Sequence, residues 1–186
     1  MRVTRRGGNV RVSLDRTERE IIRMLLIEVM AMLDDSEPGT AADASAPAAD
    51  DLEQLVGITE EPVEPPADPA VRRLLPDAYA DDPAAAGEFR RLMDGDLRAA
   101  KVSALQRVVT DLDTGRTLTL TADEVEVWLQ ALNDVRLVLG VRLDVKEDDD
   151  ERWARLRPED PEAALLFAYD QLTWLQQSLV EAVDPG

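Results

Sequence analysis

The sequence lacks both cysteine and histidine, and only 4% of its residues are aromatic. Without a thiolate or an imidazole, the chain cannot build zinc fingers, haem sites or the Ser–His and Cys–His nucleophile systems. Disulfide frameworks are excluded for the same reason. The 186 residues are nevertheless 45% hydrophobic, which is enough apolar material for one packed domain. The composition thus excludes many chemistries before any motif is considered.

Long apolar runs are missing too, since no stretch approaches the roughly 18 residues that a membrane span needs. The basic N-terminus, Met1 to Arg6, is not followed by the apolar region of a secretory signal. There is no Walker loop, no glycine-rich dinucleotide fingerprint and no nucleophile elbow. We therefore expect a cytoplasmic protein that is not an enzyme and that binds no cofactor and no metal.

Basic residues are fewer than acidic ones, 21 against 39. The resulting net charge of −18 argues against DNA binding by the whole molecule, because the phosphate backbone would be repelled. The charge is uneven, however. Residues 1–25 carry seven Arg against three acids, whereas residues 26–70 carry twelve acids and no base. A local basic surface near the N-terminus is therefore expected on an acidic body, and a local DNA contact there stays open.

The first 34 residues predict a basic β-hairpin followed by the first core helix. Apolar residues alternate on either side of Gly7-Gly8, a pair that supplies the positive φ values of a tight turn. Apolar residues then recur at spacings of three and four, which indicates a helix with one buried stripe. Its start fits a capping box, formed either by Asp15 with Glu18 or by Thr17 with Glu20.

Residues 35–69 predict an acidic, flexible linker. The stretch holds six prolines and no aromatic residue, so it cannot bury enough surface to offset the entropy of ordering it. A short apolar island, Leu52 to Ile58, interrupts the stretch, and its docking as one helical turn is favoured over contact with a partner. Residues 70–186 are then expected to supply the remaining helices of the same single domain.

The pattern beyond the linker is helical. A short helix is predicted from Pro69 to Leu75, and a long helix is predicted after Asp82-Pro83, with a kink at Gly95. The apolar face predicted for the long helix consists of Phe89, Met93, Leu97, Ala100, Ala104, Val108 and Leu112.

The last part of the chain predicts one more strand and two more helices. Thr117–Leu120 alternates as a candidate third strand, and Thr121 with Glu124 forms a capping box for the helix that follows. Asp160-Pro161 is expected to cap the final helix. The predicted fold is mainly α: a bundle of four to five helices with a small N-terminal β-hairpin.

Arginines of the hairpin are the first candidates for an interaction surface: Arg2, Arg5, Arg6 and Arg11. Exposed arginines on a hairpin can meet phosphate groups or an acidic surface of another protein. They can equally form salt bridges to the acidic body of the same chain, which is the interpretation favoured on the sequence alone.

A polar group on the predicted helix after residue 121 is the second candidate. Asn133 and Arg136 are three residues apart and face the same way, while Asp134 lies on an adjacent face. Together they fit a polar network that ties two helices, which is favoured, or a docking spot for a partner.

The tryptophans and the acidic run at residues 147–151 complete the candidates. The acidic run lacks the ligand spacing of an EF-hand and predicts a solvated loop. Trp128 lies on an apolar stripe and is expected in the core, whereas Trp174 lies beside such a stripe and is expected half exposed. Trp153 belongs to no stripe, so it is a contact residue or a lid over the core, with neither favoured.

Several segments of the sequence resemble one known family. They include Leu74-Leu75-Pro76-Asp77-Ala78-Tyr79, Glu88-Phe89-Arg90-Arg91-Leu92 and, as the most specific part, Ala131-Leu132-Asn133-Asp134-Val135-Arg136-Leu137. Nearly the whole chain outside the linker is similar to the actinobacterial family, formerly of unknown function, that includes the oxidative-stress transcriptional regulator AosR. Members of this family are often encoded beside the ClpS adaptor.

The resemblance implies a non-enzymatic regulator that acts on transcription by protein–protein contact. A sigma factor or RNA polymerase is therefore the expected partner. The alternative is an adaptor or accessory factor for Clp-type regulated proteolysis, with the Clp machinery as its partner. No membrane partner is expected.

The resemblance also implies sensing of oxidation through a pair of cysteines. This chain contains none, so a thiol–disulfide switch is excluded within it. The sulfur atoms that remain belong to methionines. Met24, Met30, Met32 and Met93 are expected in or near the core stripes, where they would be poor targets for oxidation.

Overall fold

Alternating residues at the N-terminus form two strands of one antiparallel sheet. In the computed structural model, which describes residues 1–35, 64–79, 81–146, 153, 155–157 and 159–184, β1 spans Arg2–Arg6 and β2 spans Asn9–Ser13. Gly7 and Gly8 connect them with φ values of 59° and 87°, as a two-residue hairpin turn requires. β3 (Thr117–Leu120) pairs with the other edge of β2, so the predicted third strand is confirmed.

Helix α1 spans Arg16–Asp35 and begins at a capping box. The Asp15 carboxylate accepts a hydrogen bond from the backbone N–H of Glu18 at 2.9 Å, and the Glu18 carboxylate accepts one from the N–H of Asp15 at 2.7 Å. Of the two predicted capping pairs, Asp15 with Glu18 is therefore the one that forms. The helix buries one stripe, consisting of Ile22, Leu25, Leu26, Val29 and Leu33.

Four further helices follow in the part of the chain that the structure describes: α2 (Pro69–Leu74), α3 (Pro83–Asp113), α4 (Ala122–Arg142) and α5 (Pro161–Val183). The predicted capping box of Thr121 with Glu124 is present at the start of α4. Asp160 is the N-cap residue of α5, as predicted, but its side chain makes no capping hydrogen bond. The Asp160 carboxylate instead accepts a hydrogen bond from the backbone N–H of Arg157. None of the described helices has both the length and the apolarity to cross a membrane.

The core lies between the sheet and the helices, and α4 runs through its middle. α4 contacts α1, α2, α3 and α5, while α5 also lies against β1 and β2. Trp128 of α4 is fully buried, as predicted, and its indole N–H donates to the Asp111 carboxylate at 3.0 Å. The mainly α class with a small N-terminal sheet is confirmed.

The face predicted for α3 is only partly correct in the N-terminal half of that helix, where Leu97 packs against the core but Met93 does not. Met93 is 45% exposed, and the buried positions of this half include Arg90, Asp94 and Arg98 instead. The buried stripe is thus displaced by one residue from the predicted one. Predictions at the C-terminal end of the helix are correct, because Val108 and Leu112 are buried. The helix is continuous through Gly95, and the kink expected there stays a prediction.

The expectation for the methionines is wrong at two positions. Met24 is 60% exposed and Met93 is 45% exposed, whereas Met30 and Met32 are partly buried. Met93 is exposed because Asp94, its neighbour, occupies the buried position. Met24 lies on a side of α1 away from its buried stripe.

Three sequence predictions fall on residues that the structure does not describe. They are most of the linker, the docking of the Leu52–Ile58 island, and the solvated loop at residues 147–151. The division of the chain into a hairpin-and-helix segment, a linker and a helical remainder therefore stays a prediction. At the C-terminal end of the linker, Asp68 caps α2 and accepts from the Arg142 side chain at 2.7 Å.

Candidate interaction surface

The sheet has one buried face and one polar face. The buried face carries Val10 and Val12 of β2 with Leu118 and Leu120 of β3, and helices α4 and α5 cover it. Because side chains alternate along a strand, the residues between these valines and leucines point the other way. They form the outer face of the sheet.

Strand register arranges the outer face in three rows. The first row is Arg2, Ser13 and Thr117, and the second is Thr4, Arg11 and Thr119. The third row is Arg6 with Asn9. A hydrogen bond of 3.2 Å between the Ser13 and Thr117 hydroxyls confirms that the strands share this face.

The outer face contains three arginines, four hydroxyl side chains and one amide, and it contains no acid and no aromatic residue. Arg2 and Arg6 are exposed, while Arg11 in the middle strand is partly buried between its neighbours. Within the described residues, no ion pair joins any of these three arginines to a carboxylate. The salt bridges to the acidic body that the sequence favoured are therefore absent among the residues that the structure describes.

Arg5 does not belong to the outer face. It pairs with the buried Val10, so it shares the side of β1 that carries Val3. Arg5 is nevertheless exposed, because it lies near the hairpin turn at the end of the strand. The four candidate arginines of the hairpin are thus divided, three on one face and one on the other.

Asp134 connects α4 to α3. Asp134 is 4% exposed, and its carboxylate accepts a hydrogen bond from the Lys101 ammonium at 2.7 Å. Burial raises the pKa of Asp134, and the contact with Lys101 counteracts that increase. A cleft of about 280 Å³ beside this pair is lined by Asn133 and by residues of α3.

Arg136 connects α4 to α5. Its guanidinium donates to the Gln176 side-chain oxygen at 2.7 Å and to the Tyr169 hydroxyl at 3.2 Å, and it lies 5.0 Å from the centre of the Tyr169 ring. Gln176 in turn donates to the Leu129 carbonyl. Asn133, in contrast, is exposed. Asp134 and Arg136 thus each tie α4 to a different helix, whereas Asn133 lies at the surface, so the favoured network is found only in part.

The remaining tryptophans are accessible to different degrees. Trp174 is 46% exposed on α5, in agreement with its predicted half exposure. Trp153 is partly buried, which fits a lid and a contact residue equally well. The structure thus places the candidate residues on the outer face of the sheet, on α4 and at Trp153, with Arg5 on the opposite side of β1.

Sequence analysis missed a row of buried charges on α3. Arg90 forms an ion pair with Asp77, and the Arg98 guanidinium donates to the Leu33 carbonyl at 2.8 Å, near the C-terminal end of α1. Asp94 lies between them, with 3.9 Å separating its carboxylate from Arg98. The spacing of four residues was visible in the sequence, but on a helix it usually marks exposed ion pairs.

The described residues hold no cluster of three or more acids that would suit a metal ion. The pKa of Asp94 is raised, chiefly by burial and also by the nearby Asp77 carboxylate, while Arg98 and Arg90 lower it. The described residues thus combine a helical core with an exposed basic sheet face. The comparisons with known proteins show the family to which the chain belongs.

Residues 1–183 match the family described as "Domain of unknown function (DUF2017)", and the chain belongs to that family. It is 36% identical over 191 residues to the "Oxidative stress regulator AosR" of Mycobacterium tuberculosis and of Mycobacterium bovis, covering 95% of this chain and 83% of each relative. A Mycobacterium leprae protein with the same AosR name is 30% identical over 194 residues, covering 97% and 85%. No solved structure matches.

These matches confirm the family resemblance inferred from the sequence. The relatives are named as regulators, which supports a regulatory role for the family. The chain itself has no cysteine, so whatever signal it responds to, the response does not pass through a thiol of this sequence.

Proposed function

We propose that this protein is a non-enzymatic regulator that acts on transcription, in the cytoplasm, by contact with a sigma factor or RNA polymerase. Its relatives are named oxidative stress regulators, and one of them is 36% identical to it over 95% of this chain. The observation that carries the proposal is the outer face of the sheet, an exposed basic surface on a chain of net charge −18. A surface whose charge opposes that of the body steers a partner to one place.

The absence of thiols shapes this proposal. Because this chain has no cysteine, no disulfide within it can switch the contact between reducing and oxidising conditions. A signal, if one is needed, acts on the partner or on another part of this chain.

Affinity capture of the tagged full chain after crosslinking in the native host tests the proposal. We expect RNA polymerase subunits or a sigma factor to be enriched, with equal recovery in the presence and absence of a thiol reductant. Enrichment of Clp subunits in their place would contradict the proposal and favour the adaptor for regulated proteolysis. A tagged variant with Arg2→Gln, Arg6→Gln and Arg11→Gln shows whether recovery depends on the outer face.

A further inference from the structure

We infer that the outer face of the sheet binds an acidic segment of the protein partner, rich in Asp and Glu, and does not bind nucleic acid. The inference rests on the proposed function and specifies the chemistry of its contact. Its basis is the arrangement of three arginines among hydroxyl and amide side chains, with no carboxylate on the same face.

The middle row shows why this face suits carboxylates. Arg11 lies between Thr4 and Thr119, and it is partly buried by such neighbours while remaining unpaired with any acid of the described residues. A planar guanidinium binds a carboxylate through two parallel hydrogen bonds, and adjacent hydroxyls can donate to the same anion. Arg2 and Arg6 lie in the rows on either side, so successive acids of one segment would each meet an arginine.

Nucleic acid fits the same face poorly. Single-stranded nucleic acid is normally bound by aromatic side chains that stack on bases, and the outer face has none. A duplex presents a long line of phosphates, most of which would meet the acidic remainder of a chain with net charge −18. A short acidic peptide segment covers the basic face alone.

A second copy of the chain is also a poor partner if both copies use the outer face. In a symmetric dimer the outer face would meet itself, and three arginines of one copy would approach three of the other. The charge pattern therefore disfavours a symmetric contact between two copies through this face. The occupant that we propose is the acidic segment of a different protein.

Nuclear magnetic resonance of the isotope-labelled full chain tests the inference. The probes are a short peptide of alternating Glu and Ser, the same peptide with Gln for Glu, and a DNA duplex of equal charge. We expect only the Glu peptide to shift amide signals of β1, β2 and β3, with smaller shifts at higher salt. Shifts that map elsewhere, or stronger binding of the duplex at the sheet, would overturn the inference.

Variants test whether peptide binding depends on the arginines of the outer face or only on the net charge of the protein. Arg2→Gln, Arg6→Gln and Arg11→Gln together should weaken binding of the Glu peptide about tenfold, because three charge pairs with its carboxylates are lost. The matched control is Arg72→Gln, Arg73→Gln and Arg91→Gln, three exposed residues on α2 and α3 that change the net charge equally. Equal weakening by the control would overturn the inference.

Because Arg11 is partly buried, a double variant of the exposed Arg2 and Arg6 alone serves if the triple variant does not fold. It should still weaken the peptide several-fold. Capture of the transcription machinery that is unaffected by the triple variant would overturn this inference and leave the proposed function standing. Peptide binding at the sheet without any capture of transcription proteins would support the inference and contradict the proposed function.

Discussion

The two halves of α3 are buried to a similar degree but by opposite chemistry. Its C-terminal half buries Leu105, Val108, Val109 and Leu112 in the common core. Its N-terminal half buries Arg90, Asp94 and Arg98, each less than 8% exposed. The comparison teaches that the position of a buried stripe on a helix does not depend on the residues being apolar, provided that buried charges find partners.

The two halves also differ in what they hold in place. The apolar half packs side chain against side chain, and its contribution to stability grows with the area it buries. The polar half positions neighbouring chain segments, since Arg98 binds a carbonyl in the last turn of α1 and Arg90 binds Asp77 between α2 and α3. Buried ion pairs contribute little net stability, but removal of one partner is costly.

The largest effect is expected in the apolar half. Leu105→Ala should lower the free energy of unfolding by about 3 kcal/mol, because Leu105 is fully buried and its truncation leaves a cavity. Urea unfolding followed by circular dichroism measures the loss. The control is Leu92→Ala in the polar half, which should cost less than about 0.5 kcal/mol because Leu92 is 60% exposed. Equal losses would remove the distinction between the two halves.

A smaller effect is expected in the polar half. Arg98→Met keeps most of the side-chain volume but removes the guanidinium, so the Leu33 carbonyl loses a charged donor and Asp94 loses a nearby cation. The expected loss is about 2 kcal/mol, within the range for a buried hydrogen bond to a charged group. The same unfolding measurement applies. Arg91→Met changes an exposed arginine in the same half of α3 and should alter stability little. A loss as large as that of Arg98→Met would show that the burial and the partners of Arg98 do not account for its effect.

The sequence predicts the local features of this fold well. Gly7-Gly8 indicates the hairpin turn, and Thr121 with Glu124 indicates the start of α4, because each signal lies within a few residues of the structure it produces. The division of the hairpin arginines is also local in origin. Arg5 falls on the other face from Arg2 and Arg6 simply because side chains alternate, and strict application of that period would have separated it.

The remaining features depend on contacts between distant residues. Arg98 meets Leu33 across 65 positions of sequence, and no spacing within α3 announces that contact. The outer face of the sheet also depends on a contact between distant residues, the pairing of β3 with β2. Thr117–Leu120 alternates visibly, but only the register with β2 places Thr119 beside Arg11 and completes the outer face.

The smallest effect, after those of Leu105→Ala and Arg98→Met, is a pH dependence of the free energy of unfolding. It arises in the polar half of α3, from Asp94. Burial raises the pKa of Asp94, although Arg98 and Arg90 counteract the increase. The folded state therefore holds this proton more tightly than the unfolded chain, so the stability that Asp94 contributes is fully present below the ordinary Asp pKa of about 3.9. It is lost as the pH rises through the raised pKa.

Asp94→Asn, which cannot ionise, removes this dependence. The wild type should lose stability relative to the variant as the pH rises from below about 4 toward neutrality, as measured by urea unfolding of both proteins at a series of pH values. Asp96→Asn is the control, because Asp96 is exposed on the same helix and its variant should follow the wild-type curve. Parallel curves for wild type and Asp94→Asn would mean that burial does not raise the pKa of Asp94. The polar half of α3 would then behave like a solvated surface, and its comparison with the buried apolar half would fail.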